Sequence, residues 1–343
     1  MRLRTKIVIG ILLEILLVWL WLHFIDVKTA VSYIKKININ LICCGMLCYV
    51  GAYFIRSIRW KIILDPIASV SIKKIFALYT AGMFVNYLFP PLRGGEFTKS
   101  IFLRKMNNVG ISQTLPTVFV DKVMEASPVV FIFCGIVFSP HVPNLAKIIM
   151  FPMLLMFLIF ATLSIIAAKK KEMTSKRLKA LFRWLPKRFQ HKLFDAIDSS
   201  FSGMAILEEH PIKLLGLVLL SCLAFLMDAS YIFLFFKAFG VAIPFWVALV
   251  GYTLVTFSYI IPNPPCQIGS TDVVIILIFS GIFGIDKNMV AAVDILAHTL
   301  TGLCIILSGS LSLSIIGLKL KELVEIEEKM DNEYDEKIEQ NAV

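Results

Sequence analysis

Apolar runs long enough to cross a bilayer recur from one end of the chain to the other, and this repetition constrains the fold more than any motif. Uninterrupted runs cover 7–24, 39–58, 114–138, 148–168, 214–239 and 288–318, and a spanning helix needs about 20 consecutive apolar residues. Two further runs, 75–89 and 244–261, end in proline and glycine and are followed by shorter apolar pieces. Those breaks read Phe89-Pro90-Pro91-Leu92-Arg93-Gly94-Gly95-Glu96 and Ile261-Pro262-Asn263-Pro264-Pro265-Cys266-Gln267-Ile268-Gly269. Composition agrees, since 58% of the 343 residues are hydrophobic, 17% are charged and the mean hydropathy is +0.82. Soluble domains carry about 25% charged residues, and one of this size could not hide so much apolar surface. The expected fold class is an all-α polytopic membrane protein. Its first run opens after Arg2, Arg4 and Lys6 with no small-residue cleavage pattern before Asp26, so it reads as a retained helix.

Lysine and arginine set the orientation, because short cytoplasmic loops collect them. With the N-terminus in the cytoplasm, that side takes Arg2, Arg4 and Lys6, then Arg56, Arg59, Lys61, Lys73 and Lys74, then Lys99, Arg104 and Lys105, the basic stretch 169–213, and the lysines after 318. Only Lys28, Lys35, Lys36, Lys147, Lys237 and Lys287 fall outside, with Arg93 and Lys122 at membrane depth. Both termini are expected in the cytoplasm of a multi-pass protein of the cell membrane. The net charge of +10 is then a flanking-charge effect, and nucleic acid is not an expected partner.

The same reasoning makes 75–102 a re-entrant hairpin, because cytoplasmic lysines and arginines flank it on both sides. Bare backbone at a Pro-Pro-Leu-Arg-Gly-Gly tip must then be buried in protein or line a wet cavity. The second broken segment, 244–284, reads as a hairpin opened from outside, although two short spans would also fit. Asn86-Tyr87-Leu88-Phe89-Pro90 parallels Ser258-Tyr259-Ile260-Ile261-Pro262, and the two segments enter in opposite directions. The expected architecture is about six full spans plus two hairpins related as an inverted repeat, an arrangement that puts binding sites near the bilayer midplane. It divides the chain into a first half (1–168), a basic loop (169–213), a second half (214–318) and an acidic cytoplasmic tail (319–343). Within 169–192, Leu178, Leu181, Phe182, Leu185 and Phe189 recur at helical spacing among basic residues. This reads either as an interfacial helix on anionic lipid, attracted by about 1 kcal/mol per basic residue, or as a solvated linker.

Ionisable groups at membrane depth are costly and are functional candidates by default. Arg93 and Glu96 lie in the first break, Asp121, Lys122 and Glu125 in the run 114–138, Asp272 just after the second break, and Asp294 and His298 in the last run. Asp121 and Glu125 share a helix face, as do Asp294 and His298, and Lys122 is spaced to pair with Glu125. Internal pairing that only ties helices together is the competing account, and for Lys122 and Glu125 it weighs equally. Arg93 beside Gly94 and Gly95, where a second half-helix begins, suits anion recognition by a guanidinium fork, free backbone N–H groups and the helix dipole. Glu14 and Asp228 stand isolated in their runs, as snorkelling groups, as partners of a neighbouring helix or with a role of their own. The seven cysteines show no disulfide framework or metal spacing; Cys44 and Cys48, one turn apart, read as packing residues before metal ligands. No nucleotide loop, HExxH or GxSxG is present, so no cofactor is expected and the chain does not read as an enzyme.

Together, Arg56-Ser57-Ile58-Arg59-Trp60, the stretch from Asn86 through Pro91-Leu92-Arg93-Gly94-Gly95-Glu96-Phe97-Thr98-Lys99, Asp121-Lys122-Val123-Met124-Glu125 and Pro265-Cys266-Gln267-Ile268-Gly269-Ser270-Thr271-Asp272 resemble the ordered motifs of the lysylphosphatidylglycerol synthase transmembrane region, a flippase-like family also called UPF0104. This chain departs from the family pattern at Cys266 and Gln267, where two glycines are usual, at Asp272 for a glutamate and at His298 for an arginine. The resemblance implies a unit that moves aminoacylated phosphatidylglycerol between leaflets when fused to a transferase, and that accompanies polyprenol-linked glycosyl transfer in archaeal relatives. This chain is similar to the stand-alone form. The reading that follows is a lipid or lipid-phosphate translocase with a phospholipid or polyprenyl-phosphate-linked substrate, with a cytoplasmic partner enzyme as an option. A membrane-embedded polyprenyl-phosphate-dependent transferase or its accessory subunit, and a non-catalytic scaffold, are the alternatives.

Overall fold

The computed structural model describes residues 26–34, 37–88, 95–107, 109–169, 211–258 and 265–317, which form helices and connecting turns with no strand among them. The first apolar run, most of the basic loop, residues 89–94 of the first break and 259–264 of the second, and the acidic tail lie outside the described residues. In chain order the helices are α1 Val27–Ile34, α2 Ile39–Leu64, α3 Ile72–Leu88, α4 Gly95–Asn107, α5 Ile111–Ala126, α6 Pro128–Val137, α7 Asn144–Lys169, α8 Pro211–Ala238, α9 Phe245–Ser258, α10 Ser270–Ile276 and α11 Lys287–Ile316. A turn of 3₁₀-helix at Pro265–Gln267 precedes α10, and a π-helical stretch, Leu277–Ile282, follows it. Ile39–Leu64, Ile212–Ala238 and Lys287–Ile316 are each long and apolar enough to cross a membrane. Leu47, Leu307 and Ile315 are largely exposed on these helices, as side chains facing lipid are.

Caps explain several boundaries. The Asn38 side chain accepts hydrogen bonds from the N–H groups of Asn40 and Leu41, and Asp286 accepts from Met289 N–H at 2.9 Å. Both satisfy donors that a helix start leaves open. Gly317, at φ 73°, ends α11 in the left-handed conformation. The run 114–138, expected as one span, is two helices. Pro128 has no N–H and its ring clashes with the carbonyl four residues back, so the ladder stops at Ala126 and Ser127 bonds back to Met124 O through both its N–H and its hydroxyl.

Contacts fix the relative direction of the helices. On α2 and α8, Arg56 pairs with Asp228 and Arg59 with Ser221; on α2 and α5, Arg56 pairs with Glu125 and Arg59 with Asp121. Residue numbers rise on α2 as they fall on its partners, so α8 and α5 run antiparallel to α2. The ring pairs Tyr53–Tyr79 and Phe54–Phe76 make α3 antiparallel to α2 as well. Thr80 with Ser312 and Phe84 with Gly309 set α11 against α3. Phe225 with Tyr252 and Phe233 with Phe245 set α9 against α8. Asp272 with His298, and Ile276 beside Ala291 and Ala292, set α10 against α11. Hence α2, α9 and α11 point one way and α3, α5, α8 and α10 the other.

Lipid tails are as apolar as leucine, so helices in a bilayer associate through close packing and polar contacts. Both are visible where α3 meets α11. A Cβ on Gly309 would lie 2.2 Å from Phe84 Cβ, and one on Gly302 would lie 2.5 Å from the Tyr87 hydroxyl; one turn beyond Phe84 and Gly309 the Thr80 and Ser312 hydroxyls bond at 2.7 Å. One apolar cluster around Trp60, Leu78, Tyr79, Phe84 and Phe102 fills the space between α2, α3, α4 and α11, and a second around Phe235, Phe236, Val250 and Phe279 packs α8, α9 and the π-helical stretch.

Candidate functional site

Buried charge gathers in two centres. In the first, α2 places Arg56 and Arg59 on one face at i,i+3, opposite Asp121 and Glu125 at i,i+4 on α5. Arg56 Nε lies 3.0 Å from Glu125 Oε1, and its Nη2 is hydrogen-bonded to Asp228 Oδ2. Tyr252, from α9, donates its hydroxyl to the same Asp228 oxygen at 2.7 Å. Arg59 Nε donates to Asp121 Oδ1 at 2.7 Å and Arg59 Nη1 to Ser221 Oγ at 3.0 Å. Lys122 Nζ reaches Glu125 Oε2 at 2.8 Å, the pairing its spacing predicts. Three cations thus meet three carboxylates across α2, α5 and α8, and Tyr252 joins them from α9. Arg59 and Asp121 are each 1% exposed, and Arg59 Nη2 and Asp121 Oδ2 remain buried without a hydrogen bond. Next to this centre, Lys99 of α4 is fully buried, with its ammonium 3.9 Å from the centre of the Tyr79 ring and 5.6 Å from that of Trp60, a cation–π arrangement.

The second centre lies where the second break enters α10. Cys266 and Gln267 have φ of 54° and 61°, and Gly269 has 80°. Left-handed backbone of this kind costs a residue with a side chain about 1–2 kcal/mol, and Cys266 and Gln267 both carry one. The turn delivers Gly269 N–H to Asp272 Oδ2 at 2.6 Å. Asp272 Oδ1 lies 2.7 Å from His298 Nδ1, and His298 Nε2 lies 2.9 Å from the Cys266 carbonyl oxygen. Asp294, one turn before His298, brings a carboxylate within 4.8 Å of both. Asp272 and Asp294 are 8% and 3% exposed, and Asp294 Oδ2 has no partner.

The residues proposed from the sequence thus divide. Asp121, Lys122 and Glu125 join the first centre; Asp272, Asp294 and His298 join the second. Gly95 and Glu96 open α4, while Arg93 and Gly94 lie outside the described residues. Arg56, Arg59 and Lys99, expected among the flanking cations, are all buried inside the bundle, where carboxylates and aromatic rings within reach replace the water that a flanking cation seeks. Asp228 is the helix–helix partner that one of its open readings described, and Tyr252 carried no sequence signal. Complementary spacing could have found the arginines, since an i,i+3 pair of cations in one apolar run matches an i,i+4 pair of acids in another.

These features define an α-helical, multi-pass membrane protein whose charged side chains pair in its interior. The pattern that describes the lysylphosphatidylglycerol synthase TM region matches residues 7–309, and the chain belongs to that family. It is similar, at 22% identity over 91% of this chain and 95% of the relative, to a UPF0104 membrane protein of Methanocaldococcus jannaschii. Two UPF0104 membrane proteins of Methanothermobacter thermautotrophicus are 23% and 22% identical, over 78% and 82% of this chain and 82% and 86% of their own length. No solved structure matches.

Proposed function

We propose that the protein is a translocase that moves a lipid with an anionic or phosphate-linked head group between leaflets of the cell membrane, without catalysing a covalent change. The observation that carries this reading is the Arg59 Nη2 donor left without a hydrogen bond inside a buried set of charges, in helices able to cross a bilayer. A phosphoryl oxygen is a strong acceptor for guanidinium. The family's name, which refers to a lysylated phosphatidylglycerol, supports a lipid substrate.

The topology belongs to the proposal. Six full spans carry two re-entrant hairpins, 75–102 and 244–284, as an inverted repeat with both termini in the cytoplasm. The helix directions support it: α2 ends on the side where α5 begins, so α3 and α4 together enter and return, and α9 and α10 do the same from the side where α8 ends and α11 begins. Arg93, with the N–H groups of Gly94 and Gly95, takes the head-group phosphate at the first tip, and Glu96, Asp121, Lys122, Glu125, Asp272, Asp294 and His298 line the polar path. The segment 169–192 rests on anionic lipid. The test is exchange of a labelled phospholipid and a labelled polyprenyl phosphate in proteoliposomes. Wild type should move one of them and Arg93→Ala, stably expressed, should lose at least about tenfold in rate, the value of one charge-assisted hydrogen bond. Unchanged exchange in that variant refutes the anion role, and covalent product from labelled lipid refutes the translocase.

A further inference from the structure

We infer that Asp272, Asp294 and His298 form a binding site for a divalent transition-metal cation, of the zinc or manganese class. Two carboxylates and an imidazole, with ligand atoms all within 4.8 Å of one another, are a donor set such ions take. Hydrogen bonds around the cluster already orient these donors. A metal-binding histidine gives its second ring N–H to a carbonyl or carboxylate, which fixes the ring and leaves the other nitrogen for the ion. His298 does this through Nε2 and the Cys266 carbonyl oxygen at 2.9 Å, which leaves Nδ1, facing Asp272 Oδ1, as the nitrogen for the ion. Ligating carboxylates are held in the same manner, and Gly269 N–H holds Asp272 Oδ2 at 2.6 Å, leaving Oδ1 toward His298. The independent sign of a missing ligand is Asp294, 97% removed from solvent with Oδ2 unpartnered. Among the described residues no lysine or arginine pairs with either carboxylate, whereas each carboxylate of the first centre has a cation beside it. Two buried acids with one imidazole as their basic neighbour call for a further counter-cation.

The Asp272 Oδ1 to His298 Nδ1 distance of 2.7 Å is that of a shared proton. Ligand bonds of about 2.0–2.1 Å separate two donors on one tetrahedral ion by about 3.3 Å. Metal binding therefore widens this contact slightly and expels the proton. The other groups facing the site are the Tyr87 ring of α3, 6.5 Å from the imidazole centre, and the Cys266 main chain. Three protein ligands leave a coordination position open. The cysteine and histidine spacings of the sequence do not announce such a site, because its ligands sit on two helices separated by the end of the second hairpin.

The experiment uses full-length protein in detergent, stripped with chelator and dialysed against Zn²⁺ or Mn²⁺ alone. Wild type should retain one ion per chain and melt higher with it. Asp294→Asn, which keeps the side-chain shape, should hold the ion at least about tenfold more weakly. Affinity should fall by about tenfold for each unit the pH is lowered, one proton being displaced. Equal retention by wild type and Asp294→Asn, or no retention by wild type, overturns the site. Should the Asp294→Asn change prevent folding, pulsed electron paramagnetic resonance of Mn²⁺-loaded wild type decides alone: coupling to an imidazole nitrogen is expected, and its absence refutes the assignment. Lipid exchange is not read in this experiment, so its outcome is independent of the translocase proposal.

Discussion

The two buried centres balance charge in opposite ways. Around Arg56 and Arg59, every carboxylate has a guanidinium or ammonium within hydrogen-bond reach, and the pairs tie α2 to α5, α8 and α9. Around Asp272 the only cationic candidate among the described residues is an imidazole, the backbone is strained at Cys266 and Gln267, and one carboxylate oxygen is unfilled. Arginine never loses its charge in a protein, whereas histidine can lose its own near neutral pH. The first centre is therefore fixed electrostatically, and the second can exchange protons or cations. A bilayer sharpens this difference, since low dielectric punishes any unpaired charge.

The largest expected effect tests the fixed centre. Arg56→Ala leaves Asp228 and Glu125 facing each other without their shared guanidinium, and removing one partner of a buried ion pair costs about 3–5 kcal/mol. The melting temperature and the folded yield in detergent should both drop sharply. Asp228→Asn keeps the Tyr252 contact and should cost less. The double change Arg56→Met with Asp228→Leu should recover much of the loss, because an apolar replacement removes both charges together. A stable Arg56→Ala protein would show that the first centre is as adaptable as the second.

This pairing also marks how far the sequence could be read. Long apolar runs were legible because a single helix carries its own periodicity and length, and α2, α8 and α11 fall where the runs 39–58, 214–239 and 288–318 predict. The break at Pro128 was hidden by uniform hydropathy: Ser127-Pro128 alters the backbone and not the apolar average. Local pairs were legible as well, Lys122 with Glu125 and Asp294 with His298, since both members lie on one helix. Pairs between helices were not. Arg56 was indistinguishable from a cytoplasmic flank until Asp228, 172 residues away, was brought to it, and Asp272 meets His298 only because the second turn folds α10 back along α11.

The next effect separates the centres through packing. Gly309→Val sets a branched side chain where a Cβ alone would come within 2.2 Å of Phe84 Cβ, so α11 must move away from α3. Overpacking of this kind costs about 1–3 kcal/mol. α11 carries Asp294 and His298 and none of the first centre's ion pairs, so metal retention should fall while an Arg56–Asp228 double-mutant cycle keeps its coupling energy. Equal damage to both would mean that the two centres move as one rigid body.

The smallest effect belongs to Lys122. Its side chain is 45% exposed and reaches Glu125 from the same helix at i,i+3, and such pairs contribute about 0.2–1 kcal/mol. Glu125 also has Arg56 Nε at 3.0 Å, so in Lys122→Ala a buried guanidinium still faces the carboxylate. The variant should melt close to wild type, and combining it with Arg56→Ala should cost more than the two single losses added together, because Glu125 then loses both of its cations. A Lys122→Ala loss as large as that of Arg56→Ala would reverse the ranking. Glu125 would then depend on a half-exposed lysine, and the first centre would owe its balance to a charge that water and salt can reach.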